Sequence, residues 1–327
     1  MPGLSIFSFL RSQYFVSLPY PKDRFDNKTI IVTGSNVGLG KEAALHFARL
    51  GASSVILAVR STEKGNAAKA DIERTTGCSK NVIKVWQLDM SSYASVQDFA
   101  TRAERELPRL DIALLNAGIA GGEWRMNEKD EATITVNVVS TFLLALLLLP
   151  KLKETAKKYN TRPNLTITSS EVHFFAKFEE RKAPEGGIFE RLSADPKTDM
   201  AERYQVSKLL EVYCIRAMAE RTPADKYPVT INCLNPGLCH SELARDAGLG
   251  LMLIKIILAR STEKGSRTLV HAASQGSETH GEYLSDCKVH EAAPIVTSEE
   301  GHVLQERVWD ELSKKLEAIR PGVIANL

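Results

Sequence analysis

Short, nearly unbroken apolar runs alternate along the chain with longer stretches whose apolar positions recur at helical spacing. The runs are Thr29–Val32, Ser54–Val59, Val82–Leu88, Asp111–Leu115, Leu165–Thr168 and Val229–Leu234, with Glu282–Leu284 as a short seventh. Runs that are apolar on both alternations read as strands buried on both faces. Helical patterns separate them: one opening at Gly38, then Thr62–Thr75, Ser92–Glu106, Glu131–Leu149, Met200–Arg221 and a closing Gly301–Ile319. Strands alternating with helices of this length need right-handed crossovers, which give an α/β fold with a doubly wound parallel sheet of about seven strands and helices on both faces. No internal repeat or low-complexity linker divides the chain, so one domain is expected over 28–327, preceded by an N-terminal arm over 1–27.

Composition agrees with this reading and removes several alternatives. The 327 residues are 43% hydrophobic, enough for a sizeable core, and 42 basic against 40 acidic residues leave a net charge of +2. With no block of like charge, nucleic acid is not an expected partner. Five cysteines at no metal-binding spacing point to a reducing, cytoplasmic setting and to no metal site. The most apolar stretch, Phe142–Leu149, is followed at once by Pro150, which predicts a buried helix rather than a membrane span. Ser5–Pro21 reads as an arm packed on the domain, with peripheral membrane contact left open.

The polar residues fall where such sheets bind ligands, beyond the carboxyl ends of the strands. Gly34, Arg60, Asp89, Asn116, Ser170 and Asn235 each stand at or just after the end of an apolar run. The first strand turns through Gly34, Gly38 and Gly40 into a helix, a turn that lets backbone approach a phosphate at a helix N-terminus. A Walker loop is excluded, because it needs glycine where Ser35 stands and serine or threonine where Glu42 stands. Tyr204 and Lys208 lie four apart on one helical face, where an ammonium lowers the pKa of a neighbouring phenol. The strand Ser54–Val59 ends in Arg60 rather than a carboxylate, which favours the 2′-phosphate of NADP(H) over an unphosphorylated ribose.

T-G-x-x-x-G-x-G at Thr33–Gly40, N-A-G at Asn116–Gly118, Asn137, Ser170, Y-x-x-x-K at Tyr204–Lys208 and N-P-G at Asn235–Gly237 occur in the order of the short-chain dehydrogenase/reductase family. The chain resembles that family over about 28–290, and most closely its retinol-dehydrogenase-like branch, rich in filamentous-fungal oxidoreductases. The resemblance implies a single-domain Rossmann fold and an NADP(H)-dependent oxidoreductase that interconverts a carbonyl and a secondary or primary alcohol. It makes Tyr204 the acid–base residue, with Lys208 tuning it and holding the nicotinamide ribose. Ser170 would hydrogen-bond the substrate oxygen, and Asn137 would hold a water behind Lys208. The cofactor would lie on Gly34, Ser35, Asn36, Gly38, Leu39 and Gly40, with Asp89 at the adenine. Asn116, Ala117 and Gly118, then Pro236, Gly237 and Ser241, complete its expected surroundings.

Ser170 and Tyr204 stand 34 positions apart, more than is common in the family, so about 179–199 reads as a substrate-side insertion. The family places its substrate lid after the P-G turn, here about 240–260. Leu249–Ala259 is apolar there, which suggests a lipophilic substrate such as a secondary metabolite, or simple packing on the core or at an oligomer interface. Glu171 and His173 are within reach of the pocket, with a solvated histidine expected. The Phe142–Leu149 and Tyr204 helices are those the family pairs across a homodimer, unless the N-terminal arm covers that face. A cyclase or isomerase on the same fold, or a non-catalytic cofactor-binding protein, are the rival functions.

Overall fold

The apolar runs become the strands of one sheet in a computed structural model that describes residues 6–240 and 258–327. These are β1 (Thr29–Thr33), β2 (Ser54–Val59), β3 (Ile83–Gln87), β4 (Ile112–Leu115), β5 (Asn164–Thr168), β6 (Thr230–Asn235), β7 (Tyr283–Ser285) and β8 (Lys288–His290). Their order is β3-β2-β1-β4-β5-β6-β7-β8, and every neighbouring pair is parallel except the β7–β8 hairpin. The eighth strand exceeds the seven expected. Its three residues are all exposed, so no apolar run marked it, and it folds back through Asp286 and Cys287, both with positive φ.

Alternate side chains of β1, β2 and β4 enter different cores, which is why those runs carry no polar face. Ile30 and Val32 join Phe47 of α2 (Gly38–Arg49), Ile72 of α3 (Thr62–Thr76) and Leu269 of α7 (Thr262–Ala272). Ile31 joins the opposite core, with Phe99 of α4 (Tyr93–Glu106), Phe142 of α5 (Ala132–Tyr159), Leu209 of α6 (Met200–Arg221) and Trp309 of α8 (Glu299–Ile319). The sheet is thus covered on both faces, as its composition requires.

Pro150 does not end its helix, contrary to expectation. α5 continues to Tyr159, is 28 residues long, and 94% of its most apolar window is buried inside the protein. Packing on both flanks outweighs the roughly 3 kcal/mol that an interior proline costs. The burial expected of this stretch has a different cause: α5 is the core helix. Its stretch Thr135–Ser140 is a π-turn carrying Asn137.

In the N-terminal arm, helix α1 (Ile6–Phe15) meets the β7–β8 turn, where Ser12 donates to Asp286 at 2.6 Å, and the segment from Leu18 to Phe25 runs along the α2/α7 face. Arg267 donates to the Leu18 carbonyl at 2.8 Å and Phe25 meets the Phe47 ring edge-on. The face formed by α5 and α6 is covered instead by α4 and α8, and Phe142–Leu146 are fully buried within one chain. Residues 179–199, the expected insertion, are folded. They hold a 3₁₀ turn, Glu179–Lys182, and a short helix, Ile188–Leu192, whose Ile188 and Leu192 are fully buried. Arg203, itself buried, pairs with Glu180 at 2.9 Å and fastens this segment to α6.

Candidate active site

The glycine turn is built by its own side chains. The Thr33 hydroxyl accepts from the backbone N–H groups of Asn116 and Ala117, both at 2.9 Å, which locks the end of β1 to the end of β4. The Asn116 amide donates to the Thr33 carbonyl at 3.1 Å and reaches the Gly34 carbonyl at 3.5 Å, so its side chain holds the turn rather than facing outward. Ser35 is likewise spent inward, donating to the Val32 carbonyl at 2.7 Å, and Leu39 packs toward Gly265 of α7. Only their backbone atoms remain for a ligand. Gly34 has φ +65, and a Cβ there would lie 2.9 Å from Ala117 Cα.

Gly38 has φ +60 with open space over its Cα, and α2 starts behind Val37, which has no side chain to cap it. The first N–H groups of α2 therefore lack an internal partner and face outward, which fits a dinucleotide pyrophosphate. A Cβ on Gly40 would lie 2.6 Å from both the Gly34 carbonyl and the Asn116 amide. Gly40→Ala is therefore expected to displace the turn, destabilising the fold by about 1–3 kcal/mol in urea unfolding and weakening cofactor binding.

Arg60 is exposed, and among the described residues nothing hydrogen-bonds or pairs with its guanidinium. Lys41, by contrast, is paired with Asp71 at 2.5 Å. Asp89 accepts from the Ser91 N–H at 2.9 Å and its hydroxyl at 2.7 Å, leaving one carboxylate oxygen without these contacts. Ser92 caps α4, its hydroxyl accepting from the Ser95 N–H at 3.3 Å.

The chemistry-bearing side chains meet where α6 crosses the ends of β4 and β5. Lys208 Nζ donates to the Thr168 carbonyl at 2.9 Å and lies 5.8 Å from the Tyr204 ring centre. Burial raises the Tyr204 pKa, while the Lys208 charge and a hydrogen bond with Ser170 oppose it. Lysine thus acts in the expected direction, but desolvation outweighs it and the tyrosine is a neutral phenol. Asn137 is held by its neighbours on both sides of its amide. Its carbonyl accepts from Ile119 N–H, and its amide donates to the Ile119 carbonyl, both at 2.9 Å, and to the Ser207 hydroxyl at 3.0 Å. Asn137 thereby presses the Asn116–Gly118 loop against α6. A Cβ on Gly118 would come within 3.2 Å of Asn137 Oδ1 and 3.7 Å of Lys208 Nζ.

Ser169 is buried and donates to the Lys208 carbonyl at 3.0 Å, leaving Ser170 as the serine at the edge of the pocket. His173 is not solvated. It is fully buried, its Nε2 accepts from Ala293 N–H at 3.1 Å, and so its Nδ1–H donates to the Ser170 carbonyl at 2.6 Å. Burial pushes its pKa down to about 4, so it stays neutral and fixes the backbone at Ser170. Asn235 accepts from the Glu171 and Gly237 N–H groups at 3.1 and 3.0 Å.

Two groups here were not foreseen. Glu211 meets Lys208 with both oxygens, at 2.8 and 3.1 Å. Arg260, also buried, donates to the Pro236 carbonyl, to the Ser12 carbonyl and to Asp286, tying α1 to the P-G turn at Pro236–Gly237. Glu211 stood three residues beyond Lys208 on an apolar helix face, a readable signal; Arg260 bridges segments over 200 positions apart, which no local pattern reveals. Ser241 and most of the expected lid lie outside the described residues.

A fold with its glycine turn at β1 and a Tyr–Lys pair at the end of β5 defines a nucleotide-dependent oxidoreductase class, and sequence comparison agrees. Residues 28–160 match the short chain dehydrogenase family. The chain is 59% identical to the short chain dehydrogenase/reductase dmxR8 of Cryptosporiopsis sp., over 97% of this chain and 99% of that one. It is 43% identical to the short-chain dehydrogenase anuD of Penicillium roqueforti, over 98% and 86%. Among solved structures, a putative short chain dehydrogenase from Escherichia coli complexed with NADPH superposes with a TM-score of 0.59 at 26% identity, covering 81% of this chain and 99% of that one. A Mycobacterium paratuberculosis protein shares the fold with a TM-score of 0.67 at 24% identity, over 90% and 96%. The chain belongs to the short-chain dehydrogenase/reductase family and is an oxidoreductase acting on a small molecule.

Proposed function

We propose that the protein uses NADP(H) to interconvert a carbonyl and an alcohol on a lipophilic small molecule, with Tyr204 as its proton donor and acceptor. The observation that carries this reading is the convergence of Tyr204, Ser170 and Lys208 at one end of the sheet, beside an uncapped helix N-terminus. When bound, NADP(H) supplies or receives the hydride. Gly34, Asn36, Gly38 and Gly40 offer backbone to its pyrophosphate, Asp89 accepts from the adenine, and Pro236 and Gly237 line the nicotinamide end. In the reducing direction the neutral Tyr204 phenol gives its proton to the substrate oxygen while the Ser170 hydroxyl donates a hydrogen bond to the same oxygen. Charge developing there is met by donors already in place. Lys208, held by the Thr168 carbonyl, offers an N–H to the ribose and favours the charged form of the tyrosine as the proton leaves. The roles of Asn116 and Asn137 are to hold the loop that shapes this pocket.

The preference for NADP(H) rests on Arg60, an unengaged guanidinium just past β2, and is supported by the NADPH complex of the Escherichia coli relative. Titration of the protein with NADPH and with NADH, followed by nicotinamide fluorescence, tests it. Arg60→Ala is expected to weaken NADPH binding by roughly 10- to 100-fold, the worth of a charge-assisted hydrogen bond or two, and to leave NADH nearly unchanged. Equal losses for both cofactors would remove Arg60 from the site.

A further inference from the structure

We propose that Glu211 is a positioning residue for the acid–base pair: its carboxylate holds the Lys208 ammonium and offsets its charge, so that Tyr204 remains a phenol and the site is set to deliver a proton. This rests on the reading of Tyr204 and Lys208 as the acid–base pair. Tyr204, Lys208 and Glu211 follow one another at helical spacing on the inner face of α6. Lys208 is 4% exposed and Glu211 is a buried neighbour. The ammonium is gripped from two sides, by the carboxylate at 2.8 and 3.1 Å and by the Thr168 carbonyl at 2.9 Å. Its position relative to the tyrosine ring is therefore set by protein groups.

The electrostatic consequence follows from the pairing. A lone ammonium beside a phenol draws the proton off it, whereas an ammonium against a carboxylate carries little net charge and acts on its neighbours mainly as a dipole. Glu211 is accordingly among the groups that raise the Tyr204 pKa, in opposition to Lys208. Lys208 is the one cation acting on Glu211 among the described residues. Cys214 on α6 and Cys233 on β6 lie close enough to feel Glu211, but burial raises both thiols and keeps them neutral. Arg221 acts on Cys214, and Arg216 and Glu282 act on Cys233, without acting on the carboxylate.

The test reads the Tyr204 phenolate by ultraviolet difference titration of the full-length protein, with Tyr204→Phe subtracted as background. Glu211→Gln keeps an acceptor for Lys208 and removes the charge, and is expected to lower the titration midpoint by about one pH unit or more. Glu211→Asp keeps the charge and is expected to stay within about half a unit of wild type. An unchanged midpoint in Glu211→Gln, or an equal shift in both variants, overturns the proposal. Lys208→Met separates this from the underlying reading. If it raises the midpoint while Glu211→Gln does nothing, only the role of Glu211 falls; if neither moves it, the pairing of Tyr204 with Lys208 falls as well.

Should Glu211→Gln not fold, infrared difference spectra carry the test with position 211 intact. They are recorded in a Glu171→Gln background, because burial also pushes Glu171 up to about 7. A protonated-carboxyl band that grows between about pH 8 and about pH 6, together with a tyrosine ring change absent from Tyr204→Phe, is the expected result. A carboxyl band without the tyrosine response, or no band, overturns the proposal.

Discussion

Tyr204→Phe is expected to lower turnover of a lipophilic ketone by roughly 10²- to 10⁴-fold, the usual contribution of a positioned general acid, while NADPH binding and the unfolding midpoint stay near wild type. The substitution removes one oxygen and leaves the ring, which is half-buried on α6 between Ser170 and Lys208. Folding should tolerate it because the buried polar groups nearby keep other partners: Lys208 retains Glu211 and the Thr168 carbonyl, and Ser170 retains the Val172 N–H at 3.3 Å. The measurement is NADPH oxidation with a panel of lipophilic ketones, beside nicotinamide fluorescence on the same preparation. Full activity in Tyr204→Phe would exclude it as the acid. Lost activity together with lost cofactor binding would show that the ring shapes the site instead.

The sheet was legible because buried parallel strands leave no choice of residue: β2 and α6 have the bounds their apolar patterns predict. Legibility fails where burial no longer leaves a mark. β8 is exposed throughout, so nothing in its composition separates it from a loop. Pro150 misleads in the opposite direction, since the local signal for a helix end is overridden by packing around α5 that lies far away in sequence. The polar segment 179–199 hides a short helix whose apolar residues, Ile188, Phe189 and Leu192, are too few to show a period.

At the site, positions were easier to read than the work each side chain does. Asn116, Ser35 and Asn137 stand beside the pocket, yet their side chains bond groups of the protein itself. A motif records that a residue type is needed; it does not record whether the need lies in holding a ligand or in holding the loop that holds it. His173 shows the same limit. A polar residue in a loop is ordinarily solvated, and only the fold supplies Ala293 and the Ser170 carbonyl as partners that allow complete burial.

Lys208→Met is expected to destabilise the protein in a pH-dependent way, because it leaves the Glu211 carboxyl buried with no cation. Burial raises the Glu211 pKa from 4.5 to about 7 even with Lys208 present, and Lys208 pulls it down. Without the lysine the folded-state value rises further. A carboxyl whose folded pKa lies above its unfolded value holds a proton in the native state that the unfolded state has released. Its stabilising contribution is complete below about 4.5 and is lost as pH rises through the folded value. The raised pKa of Lys208 acts only above its ordinary 10.5, outside this window. The deficit of Lys208→Met relative to wild type should therefore be small near about pH 5, where Glu211 is protonated. It should grow toward about 3–5 kcal/mol near about pH 8.5, the cost of stranding one member of a buried pair. Urea unfolding at the two pH values measures it. In the double variant Lys208→Met/Glu211→Gln the growth of the deficit toward high pH should be absent, since no charge remains to strand. A deficit of the same size at both pH values would mean that the two side chains do not form a buried ion pair, and that the loss is one of packing alone.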